Sequence, residues 1–106
     1  MNSERFKLIK DMLENNPGDS FLKYAAALEY KKSGDIVKAI QLLEELRTEH
    51  PHYLACYYQL GKLHEQHLSP QRAQSVYAEG LEIAKAAGDQ KALSELREAL
   101  QQISED

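Results

Sequence analysis

The chain has 106 residues, of which 42% are hydrophobic and 28% are charged, and its formal net charge is −4 at pH 7. These values exclude a disordered chain and an integral membrane protein, and they predict one soluble domain with a modest core. The 13 basic residues are scattered among 17 acidic ones without a basic run, so nucleic acid is not an expected partner.

A single cysteine, Cys56, leaves no internal disulfide to form, which fits a reducing compartment. The N-terminus does not combine a basic segment with a following apolar one, and the apolar runs are only a few residues long, so neither an export signal nor a membrane span is expected. We therefore expect a cytoplasmic protein that has no membrane partner.

Apolar residues recur every three or four positions, which is the period of an amphipathic α-helix. A first helix, capped by Ser3, presents Phe6, Ile9, Met12 and Leu13 and ends between Asn15 and Gly18. Asp19 caps a second helix, which presents Leu22, Ala25, Ala26 and Tyr30. Gly34 ends that helix and Asp35 caps a third, which presents Ile36, Ala39, Ile40, Leu43 and Leu46 and stops before Pro51.

The fourth helix runs to about His67 and presents Tyr57, Leu60, Gly61, Leu63 and His64. Ser69 and Pro70 favour a fifth helix, because a hydroxyl can accept from the free N–H groups and proline tolerates the first helical position. Its buried residues are predicted to be Ala73, Val76, Tyr77, Gly80, Leu81 and Ala84. Gly88 ends the fifth helix and Asp89 caps the sixth, as Gly34 and Asp35 do for the second and third helices. The sixth helix presents Leu93, Leu96, Leu100 and Ile103, opposite a polar face of Glu95, Glu98, Gln101 and Gln102.

A repeat relates these helices to one another. Pro17 and Pro51 stand 34 residues apart, and the same offset relates Tyr24 to Tyr58 and Ala39 to Ala73. A period of this length is typical of stacked helix-turn-helix units, and short connections require neighbouring helices to be antiparallel. We expect stacked helical hairpins, with the polar first and last helices as caps.

Two segments resemble the tetratricopeptide repeat. Residues 20–53 match it at Ala26, Ala27, Tyr30, Gly34-Asp35, Ala39 and Pro51, and residues 54–87 match it at Tyr57, Leu60-Gly61, His64, Ala73, Tyr77 and Gly80. In this pattern small residues let two helix backbones approach, and large rings fill the space beside them. The resemblance implies a small stand-alone protein with an all-α fold, a right-handed superhelical stack of antiparallel helix pairs with about six helices. It implies one domain over residues 1–106, with capping helices at 1–17 and 89–104.

The sequence departs from the repeat pattern at four places. Lys23 stands where Tyr57 stands in the next repeat, Leu68-Ser69 replaces the Gly-Asp turn, Lys85 replaces the closing proline, and Arg5 replaces a small residue in the first helix. The last helix aligns only with an insertion of two residues. Both end helices are therefore expected to be degenerate caps.

The resemblance also implies a function. In similar proteins the first helix of each repeat lines a concave groove that holds an extended peptide or a partner's helix, so a non-enzymatic protein-protein interaction module is expected. The groove residues carried over are Phe21, Tyr24, Leu28, Lys31, Tyr58, Lys62 and Glu65, followed by Ala55, Lys91, Ser94 and Glu98. Tyr24 and Tyr58 are candidate anchors, because a tyrosine offers a stiff ring and a hydroxyl. The alternative is that both rings only cover the inner helix surface.

Two other binding modes follow from the same comparison. Some family members hold the C-terminal carboxylate of heat-shock chaperones, but the corresponding positions here, Tyr24, Leu28, Gln59, Lys91 and Ser94, include a single basic group, too few donors for a carboxylate. The other mode is a homo-oligomerising scaffold or homodimer, in which exposed terminal helices associate through Phe6, Leu8 and the stripe from Leu93 to Ile103.

Metal and catalytic chemistry have weak support. His64 and His67 flank Glu65, but they are three residues apart where a zincin needs four, and no third ligand is near in sequence. Cys56 has no basic neighbour that would lower the pKa of its thiol. We expect no enzyme activity, no catalytic residue, no metal and no cofactor.

Overall fold

The computed structural model describes residues 3–104, except for the side chain of Ser3. The proposed Ser3 cap and the first two residues of the predicted segment 1–17 therefore lie outside the described part. Within residues 3–104 the chain forms six helices and no strand. They are α1 (Ser3–Asn15), α2 (Ser20–Lys32), α3 (Ile36–Glu49), α4 (Ala55–Gln66), α5 (Pro70–Ala87) and α6 (Gln90–Ser104). The predicted all-α fold is confirmed.

The caps of these helices follow the sequence signals with one exception. The carboxylates of Asp19, Asp35 and Asp89 accept hydrogen bonds of 2.9, 3.1 and 3.0 Å from the backbone N–H groups of Leu22, Lys38 and Ala92. Ser69 precedes Pro70 at the start of α5, but its hydroxyl makes no cap hydrogen bond, so that part of the prediction is wrong. Proline at the first helical position has no N–H to satisfy, which lowers the demand for a side-chain cap.

The chain divides into two compact units, Met1–His50 and Pro51–Asp106, which we call the N-terminal and C-terminal units. The boundary between the units falls three residues before the predicted repeat boundary at 53/54. The single domain over residues 1–106 and its internal repeat boundaries stay predictions.

In the N-terminal unit, α2 packs against both α1 and α3. The rings of Phe6 and Tyr30 meet edge to face with centroids 4.6 Å apart, and Arg5 lies 3.7 Å from the buried Glu29 carboxylate. Aromatic pairs prefer this edge-to-face geometry. These contacts fix α1 on α2.

Lys23 joins α2 to α3 through an ion-pair cluster. Its ammonium lies 3.0 Å from the Glu49 carboxylate and 3.3 Å from the Glu45 carboxylate, and its side chain is 8% exposed. Burial lowers the pKa of Lys23, but the hydrogen bonds and charges of Glu49 and Glu45 outweigh burial and raise the pKa above its ordinary value. A lysine at a core position is therefore accommodated because α3 supplies two carboxylates.

In the C-terminal unit, α4, α5 and α6 pack against one another. Tyr57 on α4 is fully buried against Gly80 on α5, and Tyr77 on α5 is fully buried against Gly61 on α4. The Tyr57 hydroxyl donates a 2.6 Å hydrogen bond to the Pro51 carbonyl. The expected packing of rings against glycines is confirmed, and it fixes the orientation of α4 and hence of the surface that α4 presents.

Candidate functional site

The groove residues expected on α4 form a connected cluster. The Lys62 ammonium lies 5.5 Å from the centre of the Tyr58 ring and 3.8 Å from the Glu65 carboxylate. Glu65 also accepts a short hydrogen bond from the Tyr77 hydroxyl. The centroids of the Tyr58 and Tyr77 rings lie 6.5 Å apart. Because Tyr77 is fixed in the core, these contacts hold the half-buried side chains of Tyr58, Lys62 and Glu65 in place.

The environment of Tyr77 keeps its hydroxyl protonated. Burial raises the pKa of the Tyr77 phenol, and the hydrogen bond and negative charge of Glu65 raise it further. The hydroxyl is therefore a permanent donor to Glu65 at neutral pH, which makes Glu65 a supporting residue as well as a surface one.

Two adjoining clefts separate α4 from α6, and we call them together the α4/α6 groove. One has a volume of about 160 Å³ and is lined by Tyr58, Lys62, Glu95, Glu98, Ala99 and Gln102. The other has a volume of about 190 Å³ and is lined by Leu54, Ala55, Tyr58, Asp89, Lys91, Ala92, Glu95 and Leu96. Tyr58 and Glu95 line both clefts, so these two side chains lie where the clefts meet.

The structure thus brings some of the expected residues together and adds others. Tyr58, Lys62, Ala55, Lys91 and Glu98 were expected on this surface and do line the groove. Glu95 and Gln102 were expected on a water-facing side of the last helix, and Ala99 was not singled out. Glu95 and Gln102 could have been found from their spacing of three and four residues from Glu98, since residues three or four apart share a helix face. Ala99 follows in turn from its spacing of four residues from Glu95 and three from Gln102.

In the N-terminal unit the expected residues lie on α2. Phe21 is 64% exposed, whereas Tyr24, Leu28 and Lys31 are half-buried. A cleft of about 300 Å³ in this unit is lined by other residues, namely Lys10, Leu13, Glu14, Pro17, Lys23, Ala26, Tyr30, Lys38, Leu42 and Glu45. The four expected residues are therefore outside that cleft.

The cysteine and the histidines were considered above as candidates for catalysis or metal binding. Cys56 is fully buried and is not part of a disulfide, and His64 is buried in α4. His50 lies outside the helices, and its Nε2 atom is 3.1 Å from the Gly18 carbonyl oxygen. Among residues 3–104, no group of three or more His, Cys, Asp or Glu side chains is arranged to hold a metal ion.

The helices differ from membrane-spanning segments as well. Over the described range, none of them combines the length and the apolar character that crossing a bilayer would require.

Helical hairpins built on a 34-residue period define a helical-repeat protein, and comparison with known proteins identifies which kind. Neither the family models nor the curated proteins gave a match to the sequence. A tetratricopeptide repeat domain protein from Salinibacter ruber is 41% identical in a crystal structure and in a solution structure, each with a TM-score of 0.78. The crystal structure covers 81% of this chain and 96% of its own, and the solution structure covers 82% and 88%.

A solution structure of a Bordetella parapertussis protein is similar over 94% of this chain and 87% of its own, with a TM-score of 0.81 and 21% identity. That likeness bears on the fold alone. The identity to the Salinibacter protein goes further, and the chain belongs to the tetratricopeptide repeat family.

Proposed function

We propose that this chain is a non-enzymatic module that binds a peptide or a partner protein in the α4/α6 groove. The observation that carries the proposal is the position of Tyr58, which is half-buried and lines both clefts. A ring held at the centre of a groove, with a polar end, is the kind of side chain that dominates binding energy at protein interfaces. Membership of a helical-repeat family supports a binding role.

The proposal extends to the α2 surface formed by Phe21, Tyr24, Leu28 and Lys31. Tyr24 stands one repeat period before Tyr58, and the exposed ring of Phe21 offers apolar area to a partner. A protein partner rather than a nucleic acid is supported by the net charge of −4. A cysteine that is not part of a disulfide, Cys56, supports a cytoplasmic location.

The test begins with a selection of displayed random heptapeptides on the immobilised chain. The selected peptides are then labelled and titrated with the chain by fluorescence anisotropy. Tyr58→Ala is expected to weaken binding by about thirtyfold or more, because truncating a central aromatic side chain removes about 2 kcal/mol or more. Tyr58→Phe keeps the ring and should lose less.

Gln71→Ala, an exposed position at the start of α5, is the control and should leave affinity unchanged. Far-UV circular dichroism verifies that each variant is folded. The proposal is wrong if no peptide is enriched, or if Tyr58→Ala binds as the parent does.

A second candidate function is self-association through α1, which the exposure of two apolar side chains on that helix favours. Leu8 is 59% exposed and Met12 is 43% exposed. The residues one period later, Leu42 and Leu46, are 7% and 0% exposed, so the face of α1 that corresponds to a buried face of α3 is open. Phe6 does not belong to this open face, because its ring is packed on Tyr30.

The α6 stripe offers less to self-association than the sequence suggested. Leu96 is buried and Leu93, Leu100 and Ile103 are half-buried. Light scattering coupled to gel filtration distinguishes the two functions. A dimer that becomes a monomer on Leu8→Gln plus Met12→Gln supports self-association, whereas a monomer at millimolar concentration contradicts it.

A further inference from the structure

The wall of the α4/α6 groove that α6 supplies is acidic. Glu95 and Glu98 stand three residues apart on α6, a spacing that puts both side chains on one face of the helix. Both are exposed, and within residues 3–104 neither carboxylate takes part in an ion pair or a side-chain hydrogen bond. Two adjacent carboxylates therefore face this groove without a positive partner.

The other charged groups along the groove do not neutralise them. Lys62 lies 3.8 Å from the Glu65 carboxylate on its own helix, so its charge is already offset. Asp89 adds a further negative charge and is occupied in capping Ala92. Lys91 is exposed and lines the second cleft, so three carboxylates and two ammonium groups line the groove in all. The groove as a whole keeps an excess of negative charge, which attracts a positive partner and repels an acidic one.

The apolar surface of the groove lies next to these carboxylates. Tyr58 lines both clefts next to Glu95, and the half-buried Leu54 and Ala92 line the second cleft. Leu96 and Ala99 lie beneath them and are almost fully buried. A lysine or arginine suits this arrangement, because its aliphatic stem packs on apolar surface while its charged end reaches a carboxylate. Arginine suits it best, since its planar group donates two parallel hydrogen bonds to a carboxylate.

We propose that the α4/α6 groove binds an extended basic segment of a partner protein, with an arginine or lysine between Glu95 and Glu98 and an apolar residue against Leu54 and Ala92. This inference rests on the proposed function, because it names the partner class of the same groove. The groove residues of α6 and of its cap run from Asp89 to Gln102, about 20 Å at 1.5 Å per residue. An extended segment of about six residues spans that length.

The same heptapeptide selection tests the inference, now by the composition of the enriched peptides. We expect enrichment of arginine and lysine and depletion of aspartate and glutamate. The affinity of an enriched peptide is expected to fall about tenfold or more in Glu95→Gln plus Glu98→Gln, because charge-assisted hydrogen bonds are lost. The same affinity should also fall as salt rises.

A matched control is available on α5. Glu79→Gln plus Glu82→Gln removes two exposed carboxylates with the same spacing and changes the net charge equally. It should leave affinity within about twofold, because neither side chain lines the groove and an exposed charge outside the site is screened by salt.

The outcomes separate the two proposals. Enriched peptides that are neutral or acidic, and that lose affinity in Tyr58→Ala, would overturn the basic partner and leave the groove as a binding site. Equal losses in the two glutamine pairs would also overturn it, since they would reflect net charge alone. A selection that enriches no peptide would overturn the basic partner and the proposed function together.

Discussion

The ring of Tyr77 on α5 occupies the space that any side chain at Gly61 on α4 would need. A Cβ atom added to Gly61 would lie 2.6 Å from Cδ1 of Tyr77, inside the normal contact distance. The Tyr77 hydroxyl in turn donates to Glu65 on α4, and Glu65 pairs with the groove residue Lys62. One residue of α5 therefore sets how closely α4 approaches and how its groove face is held.

Gly61→Ala is expected to destabilise the protein by about 1–3 kcal/mol, because filling a packed core forces side chains and backbone to move. Urea unfolding followed by circular dichroism measures the loss. Gly18→Ala is the control, since a Cβ atom there meets nothing within 4 Å, and stability should stay within about 1 kcal/mol of the parent. A Gly61→Ala variant as stable as Gly18→Ala would show that α4 and α5 are packed less closely than described.

Leu68 adopts a backbone conformation that favours glycine. Its φ angle is 58°, and the stop glycines Gly34 and Gly88 have φ angles of 91° and 69°. Leu68 is 88% exposed, so no packing of the side chain compensates the strain. Leu68→Gly should raise the free energy of unfolding by about 0.5–1 kcal/mol. The substitution relieves about 1–2 kcal/mol of left-handed backbone strain, which is more than the additional conformational entropy that glycine loses on folding.

The reverse change provides the comparison for Leu68. Gly34→Ala should lower stability by about 1 kcal/mol, since alanine disfavours a positive φ. Thermal unfolding of both variants measures the two effects. A lower melting temperature for Leu68→Gly would contradict the strain assigned to Leu68.

Much of this fold was predictable because it depends on local signals. Helix periods, aspartate caps and the match of small to large residues, such as Gly80 to Tyr57, are written in short stretches of sequence. The burial of Lys23 was not predicted, because it depends on carboxylates more than 20 residues away, Glu45 and Glu49. From the sequence alone, a lysine at a core position is only a departure from the repeat pattern, because the carboxylates that pair with it are not evident.

The groove was only partly predictable, for a different reason. The residues on α4 followed from the repeat, but those on α6 depend on the register of a helix that fits the repeat only with a two-residue insertion. A shift of two residues rotates a helix face by about 200°, since each residue turns the helix by about 100°. Glu95 was placed on the polar face of the last helix, where it is exposed, but it was not named as a groove residue, although it lines both clefts.

The ion-pair cluster of Lys23 predicts that removing the lysine restores the stability lost when its two carboxylates are removed. Glu45→Gln plus Glu49→Gln should destabilise the protein by about 1–3 kcal/mol, because a buried ammonium loses both of its partners. The expected loss of stability is smaller than for a fully buried ion pair, because the two carboxylates are themselves half-exposed. Adding Lys23→Met to this variant should restore most of the loss, since an apolar side chain needs no counter-charge.

Urea unfolding of the parent, the double variant and the triple variant measures this compensation. Glu44→Gln is the control. The Glu44 carboxylate lies 2.8 Å from the Arg47 guanidinium, and both side chains are partly exposed. Such surface ion pairs contribute at most about 1 kcal/mol. If the triple variant is no more stable than the double one, the carboxylates stabilise the protein in some way other than through Lys23.

The raised pKa of Tyr77 predicts a loss of stability in alkaline solution. An unfolded tyrosine releases its proton near pH 10, whereas burial and the charge and hydrogen bond of Glu65 keep the Tyr77 hydroxyl protonated above that pH in the folded protein. The folded state then binds more protons than the unfolded state, so stability falls as pH rises above about 10. The contribution is fully present below that pH.

Tyr77→Phe removes the titrating group and separates its effect from that of Lys23, whose raised pKa acts in the same direction. At pH 7 the variant should lose about 1 kcal/mol, the hydrogen bond to a half-exposed carboxylate. Between about pH 10 and 11 its stability should fall less steeply than that of the parent, by about 1.4 kcal/mol per pH unit at most. Urea unfolding at a series of pH values measures both slopes, and parallel slopes would mean that the Tyr77 hydroxyl does not hold its proton against Glu65.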